Sequence, residues 1–73
     1  MHAKEGGEKL LGKRIQQKRM ALGLSREELA AKVGTSKAMI RHFEYGAKVP
    51  SLAMMMDIAQ ALQTGLDELC RDE

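Results

Sequence analysis

The sequence predicts an all-α fold, a compact bundle of five short helices. Three observations carry that expectation. Apolar residues recur at spacings of three and four between residues 10 and 69, the repeat of helices that turn one face inward. No stretch alternates apolar and polar residues with the two-residue repeat of a half-buried strand. Glycine, proline and hydroxyl residues interrupt the pattern at 23–25, 34–36, 46–51 and 63–65, where one helix stops and the next is capped. A chain of 73 residues suits one small domain, burying only about 60–65% of the surface that its unfolded form exposes.

Residues 1–9, MHAKEGGEK, have no periodicity and contain Gly6-Gly7. They read as a flexible N-terminal arm ahead of a domain over residues 10–73. A first helix is expected at about 8–22. Leu11, Ile15, Arg19 and Leu22 share its inner face, and Gly23 stands beyond its end as a left-handed residue. Ser25-Arg26-Glu27-Glu28 is a capping box: the Ser25 hydroxyl accepts from an amide three residues on, and Glu28 reaches back. The second helix follows at about 26–32, with Leu29, Ala30 and Val33 inward. Thr35 and Ser36 offer caps for a third helix at about 37–45. Its Ile40, Phe43 and Glu44 fall on one side, and Lys37, Ala38, Arg41 and His42 on the other.

Ser51 caps a fourth helix at about 52–62, striped by Leu52, Met55, Ile58 or Ala59, and Leu62. Met54, Met55 and Met56 cannot all face one core, and Met54 is expected outward, a candidate dimer contact because methionine adapts to partners. After the turn Gln63-Thr64-Gly65, a fifth helix at about 66–71 packs Leu66 and Leu69, with Cys70 as a small apolar residue within it.

Composition narrows the function. A single cysteine rules out an intrachain disulfide and suits a reducing, cytoplasmic setting. No apolar run nears the ~18 residues of a membrane span, and no secretory leader follows Met1. Two aromatics, Phe43 and Tyr45, are too few for the stacking platforms of single-strand binders. His2, His42 and Cys70 match no metal-ligand spacing, so no metal or other cofactor is expected. Ser25, Ser36 and His42 lack an orienting acid and a nucleophile elbow, so the chain is not expected to be an enzyme or to bind a small molecule. Net charge is +2, but residues 1–51 hold eleven Lys/Arg against five Asp/Glu, and residues 52–73 hold one Arg against five acids. A basic region able to meet a polyanion is therefore set apart from an acidic end.

The second and third helices, joined by Val33-Gly34-Thr35-Ser36, form a helix-turn-helix unit. Ala30 and Gly34 are small enough for a close crossing, which leaves the exposed face of the third helix able to enter a major groove about 12 Å wide. The stretches LGKRI-QQKR, GLSREELAAKVGTSKAMIRHFEYG, PSLAMMMDIAQAL and LDEL resemble the Cro and phage-repressor helix-turn-helix family, also called the XRE type. The resemblance implies a five-helix lambda-repressor-like domain that binds double-stranded DNA, usually as a homodimer on a palindromic operator. By position it implies base-reading roles for Lys37, Ala38, Arg41 and His42. It implies backbone contacts by Arg26 and Ser36, and an Arg19–Glu44 pair joining the first and third helices. Met39 borders the groove wall or backbone, and Lys48 in the next loop is placed for phosphate.

The side-chain chemistry is compatible with those roles. Lys37 can donate to guanine, Ala38 can meet a thymine methyl, and His42 can address a purine N7. Three positions depart from the family pattern, one of them Gly65, where serine is common. Gln63 stands where glycine is common, so either it adopts a left-handed conformation or Thr64 caps the fifth helix instead. Lys18 stands in place of a core leucine, and its stem can still cover apolar surface. Phage repressors, controller proteins and antitoxins share this pattern, so a protein partner such as a toxin is a second candidate. The rival reading is an interaction module of the same fold in which DNA binding is weak or secondary; the basic outer face of the third helix argues against it.

Overall fold

A computed structural model describes the backbone of residues 3–70 and the side chains of residues 10–70. Its elements are α1 (Ala3–Ala21), α2 (Arg26–Val33), α3 (Lys37–Glu44), α4 (Leu52–Ala61) and α5 (Leu66–Leu69). There is no strand among the described residues. α3 lies between α1 and α2, α4 packs on α2, and α5 closes against α4 and α1. Ile15, Leu29, Ile40, Ile58 and Leu69 are fully buried where the helices meet.

Each predicted serine cap closes a helix start. Ser25 accepts from the Glu28 amide at 3.0 Å while the Glu28 carboxylate accepts from the Ser25 amide at 2.8 Å. Ser36 and Ser51 accept from the Met39 and Met54 amides, both at 3.1 Å. Thr35 therefore does not cap α3. Its amide instead donates back to the Ala30 carbonyl at 3.0 Å, in the wrapped ending of α2 around left-handed Gly34.

Several expectations are corrected. α1 begins at Ala3, ahead of the start expected near residue 8. Leu22 and Leu52 do not join the core: they are 41% and 65% exposed. Leu22 lies just beyond the end of α1, and Leu52 is the first residue of α4. Met56, not Met54, is the outward methionine of α4, while Met54 and Met55 pack against the core. Cys70 is exposed at the end of α5, its thiol donating to Met55 Sδ at 2.9 Å. α5 ends at Leu69, short of the expected extent, and residue 71 lies outside the described residues.

Of the two readings of the last turn, the left-handed one holds. Gln63 has φ 58°, and Gly65 rather than Thr64 is the N-cap of α5, without a side-chain bond. The Thr64 hydroxyl donates instead to Glu68 Oε1 at 2.6 Å. Gly34 also has a different role from the one expected. A Cβ placed there would meet nothing within 4 Å, whereas its φ of +76° disfavours any L side chain. Gly34 shapes the turn; it does not bring two helices together. The close approach is at Gly12, where a Cβ would lie 2.6 Å from the Phe43 carbonyl oxygen and closer still to that of Glu44. α1 thus rests on the C-terminal end of α3 through a bare backbone.

Candidate nucleic-acid interface

Helical geometry gives α3 two unlike faces. Ile40, Phe43 and Glu44 are buried, whereas Lys37, Ala38, Arg41 and His42 are all exposed. The segregation follows from the sequence: positions 40, 43 and 44 are three and four apart and share one side, with 37, 38, 41 and 42 opposite. Met39 is half-buried at the boundary, against the core. Ser36 is exposed at the N-terminus of α3, where unpaired amides and the helix dipole favour an anion. Lys48 is exposed beyond the other end, in a loop whose Ala47 and Lys48 amides donate to the His42 carbonyl at 2.9 and 3.3 Å.

The C-terminal end of α3 is anchored by a buried ion network. The Glu44 side chain is 0% exposed and that of Arg19 is 9% exposed. Arg19 Nε donates to Glu44 Oε2 at 2.6 Å and Arg19 Nη2 to Oε1 at 3.3 Å, an approximately two-pronged pairing. Arg19 Nη1 donates to the Leu24 carbonyl at 2.7 Å, which ties in the α1–α2 turn. Among the described residues no buried side-chain polar atom lacks a partner. The pair thus meets the condition under which a buried charge is tolerated.

Arg26 enters the same network, which its position in the sequence did not reveal. Its Nε donates to Glu44 Oε1 at 2.9 Å and its Nη2 to the Tyr45 hydroxyl at 3.4 Å. The hydrogen bond to Glu44 holds the guanidinium above its ordinary pKa, with smaller contributions from the charge of Glu44 and from Tyr45 and with burial opposing. Arg26 therefore stays charged, with part of its donor capacity committed to protein. Lys18, expected to lay its stem over the core, is half-exposed with its ammonium 3.9 Å from Glu68.

The structure thus brings Lys37, Ala38, Arg41 and His42 to one outer face, with Ser36 and Lys48 at its two ends. Arg26 lies beside that face, and Arg19 and Glu44 lie beneath it. Tyr45 belongs to the same surface and was not expected there: it is 60% exposed, with the Arg26 and Arg41 guanidiniums 5.4 and 5.8 Å from its ring centre. Its spacing of four from Arg41 was the available signal. Among the described residues no group of three His, Cys, Asp or Glu could hold a metal ion, and no helix is long and apolar enough to cross a membrane.

Comparison with known proteins matches residues 15–69 to a helix-turn-helix family model. A Rhodospirillum rubrum protein named as an uncharacterized transcriptional regulator in the ATPase CF(0) region is 37% identical over 62 residues; the match takes in 85% of this chain and 57% of that protein. The P22 c2 repressor, solved in complex with a synthetic operator, superposes with a TM-score of 0.83 at 28% identity, covering 88% of this chain and 97% of that one. The restriction-modification controller protein C.AhdI from Aeromonas hydrophila gives a TM-score of 0.80 at 33% identity, covering 84% of this chain and 92% of that one.

Proposed function

This chain belongs to the Cro and phage-repressor (XRE-type) helix-turn-helix family, and from that premise we propose that it is a transcriptional regulator that reads duplex DNA with α3. The carrying observation is the exposed face of that helix, where Lys37, Ala38, Arg41 and His42 stand opposite a fully packed inner side. Cationic and small side chains on a rigid helix suit the major groove, where each base pair displays its own set of donors, acceptors and methyl groups. Ser36, Arg26 and Lys48 would meet phosphates and fix register, with Met39 against the groove wall. The P22 c2 repressor bound to an operator and the controller protein C.AhdI support this reading through their shared fold.

We take the regulator to be a repressor that acts as a homodimer on a palindromic operator. One α3 of eight residues reads a few base pairs, so a full operator needs a second copy whose α3 lies about 34 Å away, one turn of duplex along. The acidic segment beyond residue 52 would face away from DNA and limit non-specific attraction. Selection of binding sites from randomised duplex DNA, followed by affinity measurements across salt, tests this function. A two-fold symmetric site is expected, with log K falling by about 0.9 per phosphate contact for each unit of log salt. No enriched site together with a flat salt response would refute it.

A further inference from the structure

Tyr45 has no part in the core, yet two guanidiniums converge on it. Arg26 reaches it from the first turn of α2 and Arg41 from the outer face of α3, 5.4 and 5.8 Å from the ring centre. Their charges are differently placed. Arg26 shares the Glu44 carboxylate with Arg19. Arg41 has no carboxylate partner among the described residues, so its charge is left for an external anion. The ring is four residues beyond Arg41 and four is also the distance back from Arg41 to Lys37. On a helix each of those steps is about one turn, or ~6 Å of rise. Arg41 is therefore engaged toward the C-terminal end of α3, on the side away from Lys37 and Ala38.

Accepting that α3 docks on duplex DNA, we infer that Tyr45 is a positioning residue that holds Arg41 for a backbone phosphate, which moves Arg41 from the base-reading to the backbone set. A long arginine loses rotamer freedom when it binds, and an aromatic face that already orients the guanidinium removes part of that cost. The planar fork then meets phosphate oxygens with little rearrangement. Arg26, fixed by Glu44, holds the other approach to the ring, so Tyr45 itself is kept in place from α2. Most of the effect belongs to the ring, because the hydroxyl contributes one 3.4 Å bond from Arg26.

The test uses the full chain with Arg41→Ala, Tyr45→Ala, Tyr45→Phe and the Arg41→Ala/Tyr45→Ala double variant. Each is measured on the selected operator and on random duplex from 50 to 200 mM salt, with thermal melting recorded in parallel. Arg41→Ala is expected to weaken both DNAs by a similar factor, on the order of tenfold, and to lower the salt slope by about 0.9, with base preference unchanged. Tyr45→Ala is expected to reproduce most of that loss, with a melting temperature near that of the parent chain. Tyr45→Phe is expected to stay within about twofold of the parent, since the ring face is retained. The double variant is expected to be no weaker than Arg41→Ala, because both changes remove one contact.

Two results would overturn the inference while leaving the DNA-binding reading intact. One is a Tyr45→Ala chain with parental affinity and slope. The other is an Arg41→Ala chain that loses preference at one operator position but binds random duplex as before. A parent chain with no selected site and a flat salt response would overturn both readings together.

Discussion

The two ends of α3 are held by different physics. At the N-terminal end the devices are local: the left-handed Gly34 turn and the Ser36 hydroxyl on the Met39 amide. At the C-terminal end they are long-range: a fully buried Glu44 held from α1 and α2, and the bare backbone of Gly12 against the carbonyls of residues 43 and 44. The contrast suits a helix proposed to read DNA. A rigid anchor at one end sets the angle of α3, and the exposed residues at the other end can change without cost to the core. Substitutions at the two ends should therefore separate stability from recognition.

The largest effect is expected at the anchor. Glu44→Ala leaves the guanidiniums of Arg19 and Arg26 without their carboxylate, and Arg19 is almost wholly buried. Loss of one partner of such a network costs about 3–5 kcal/mol, a large share of the ~5–15 kcal/mol of a typical domain. Chemical denaturation should show the midpoint falling steeply or the chain unfolded in buffer. A midpoint change equivalent to less than about 1 kcal/mol would mean the network is not an anchor. Gly12→Ala attacks the same end by steric means. Its Cβ would meet backbone, which cannot rotate away, so α1 must shift, at a cost of about 1–3 kcal/mol or more. Thermal melting of the variant checks this, and an unchanged melting temperature would show that α1 and α3 have room to part.

Gly34→Ala is the matching change at the other end, and it should cost less. Space is open around the position, so the penalty is the left-handed backbone alone, about 1–2 kcal/mol. Denaturation of the Gly12→Ala and Gly34→Ala chains side by side sharpens the comparison. If Gly34→Ala proved the more damaging, the turn rather than the anchor would fix α3.

The same contrast explains what could be read from the sequence. The caps at Ser25, Ser36 and Ser51 and the left-handed Gly23 are set by residues within a turn of one another, so spacing revealed them. The outer face of α3 was legible for the same reason. Arg19 and Glu44 are 25 residues apart, and it was the family pattern, together with charges on otherwise apolar faces, that pointed to their pairing. Gly12 was invisible because a glycine inside a helix looks like a weak helix former, and its role depends on carbonyls more than thirty residues away. Arg26 read only as a DNA-backbone contact implied by the resemblance, because nothing local shows that Glu44 is within its reach. Leu22 and Leu52 were misplaced because periodicity gives a direction around a helix and not where that helix begins or ends. Gln63 takes the left-handed turn despite its side chain because the 59–64 hydrogen bond closes the end of α4 regardless, with the Thr64 amide on the Ala59 carbonyl at 3.0 Å.

The smallest stability effect is expected at the N-terminal end of α3 itself. Lys37 is exposed and begins α3; its ammonium sits near the N-terminus, where a cation is mildly unfavourable. Lys37→Ala should leave stability within about 0.5 kcal/mol of the parent chain, or raise it slightly. Recognition should change more than folding does. A lysine that donates to guanine discriminates among bases, so its removal should flatten preference at one position in each half of the selected site. Loss of the same ammonium from a phosphate would instead weaken operator and random duplex alike and lower the salt slope by about 0.9. Repeating the site selection with the variant distinguishes these outcomes. A uniform loss would place Lys37 with the backbone contacts and leave Ala38 and His42 as the residues facing bases.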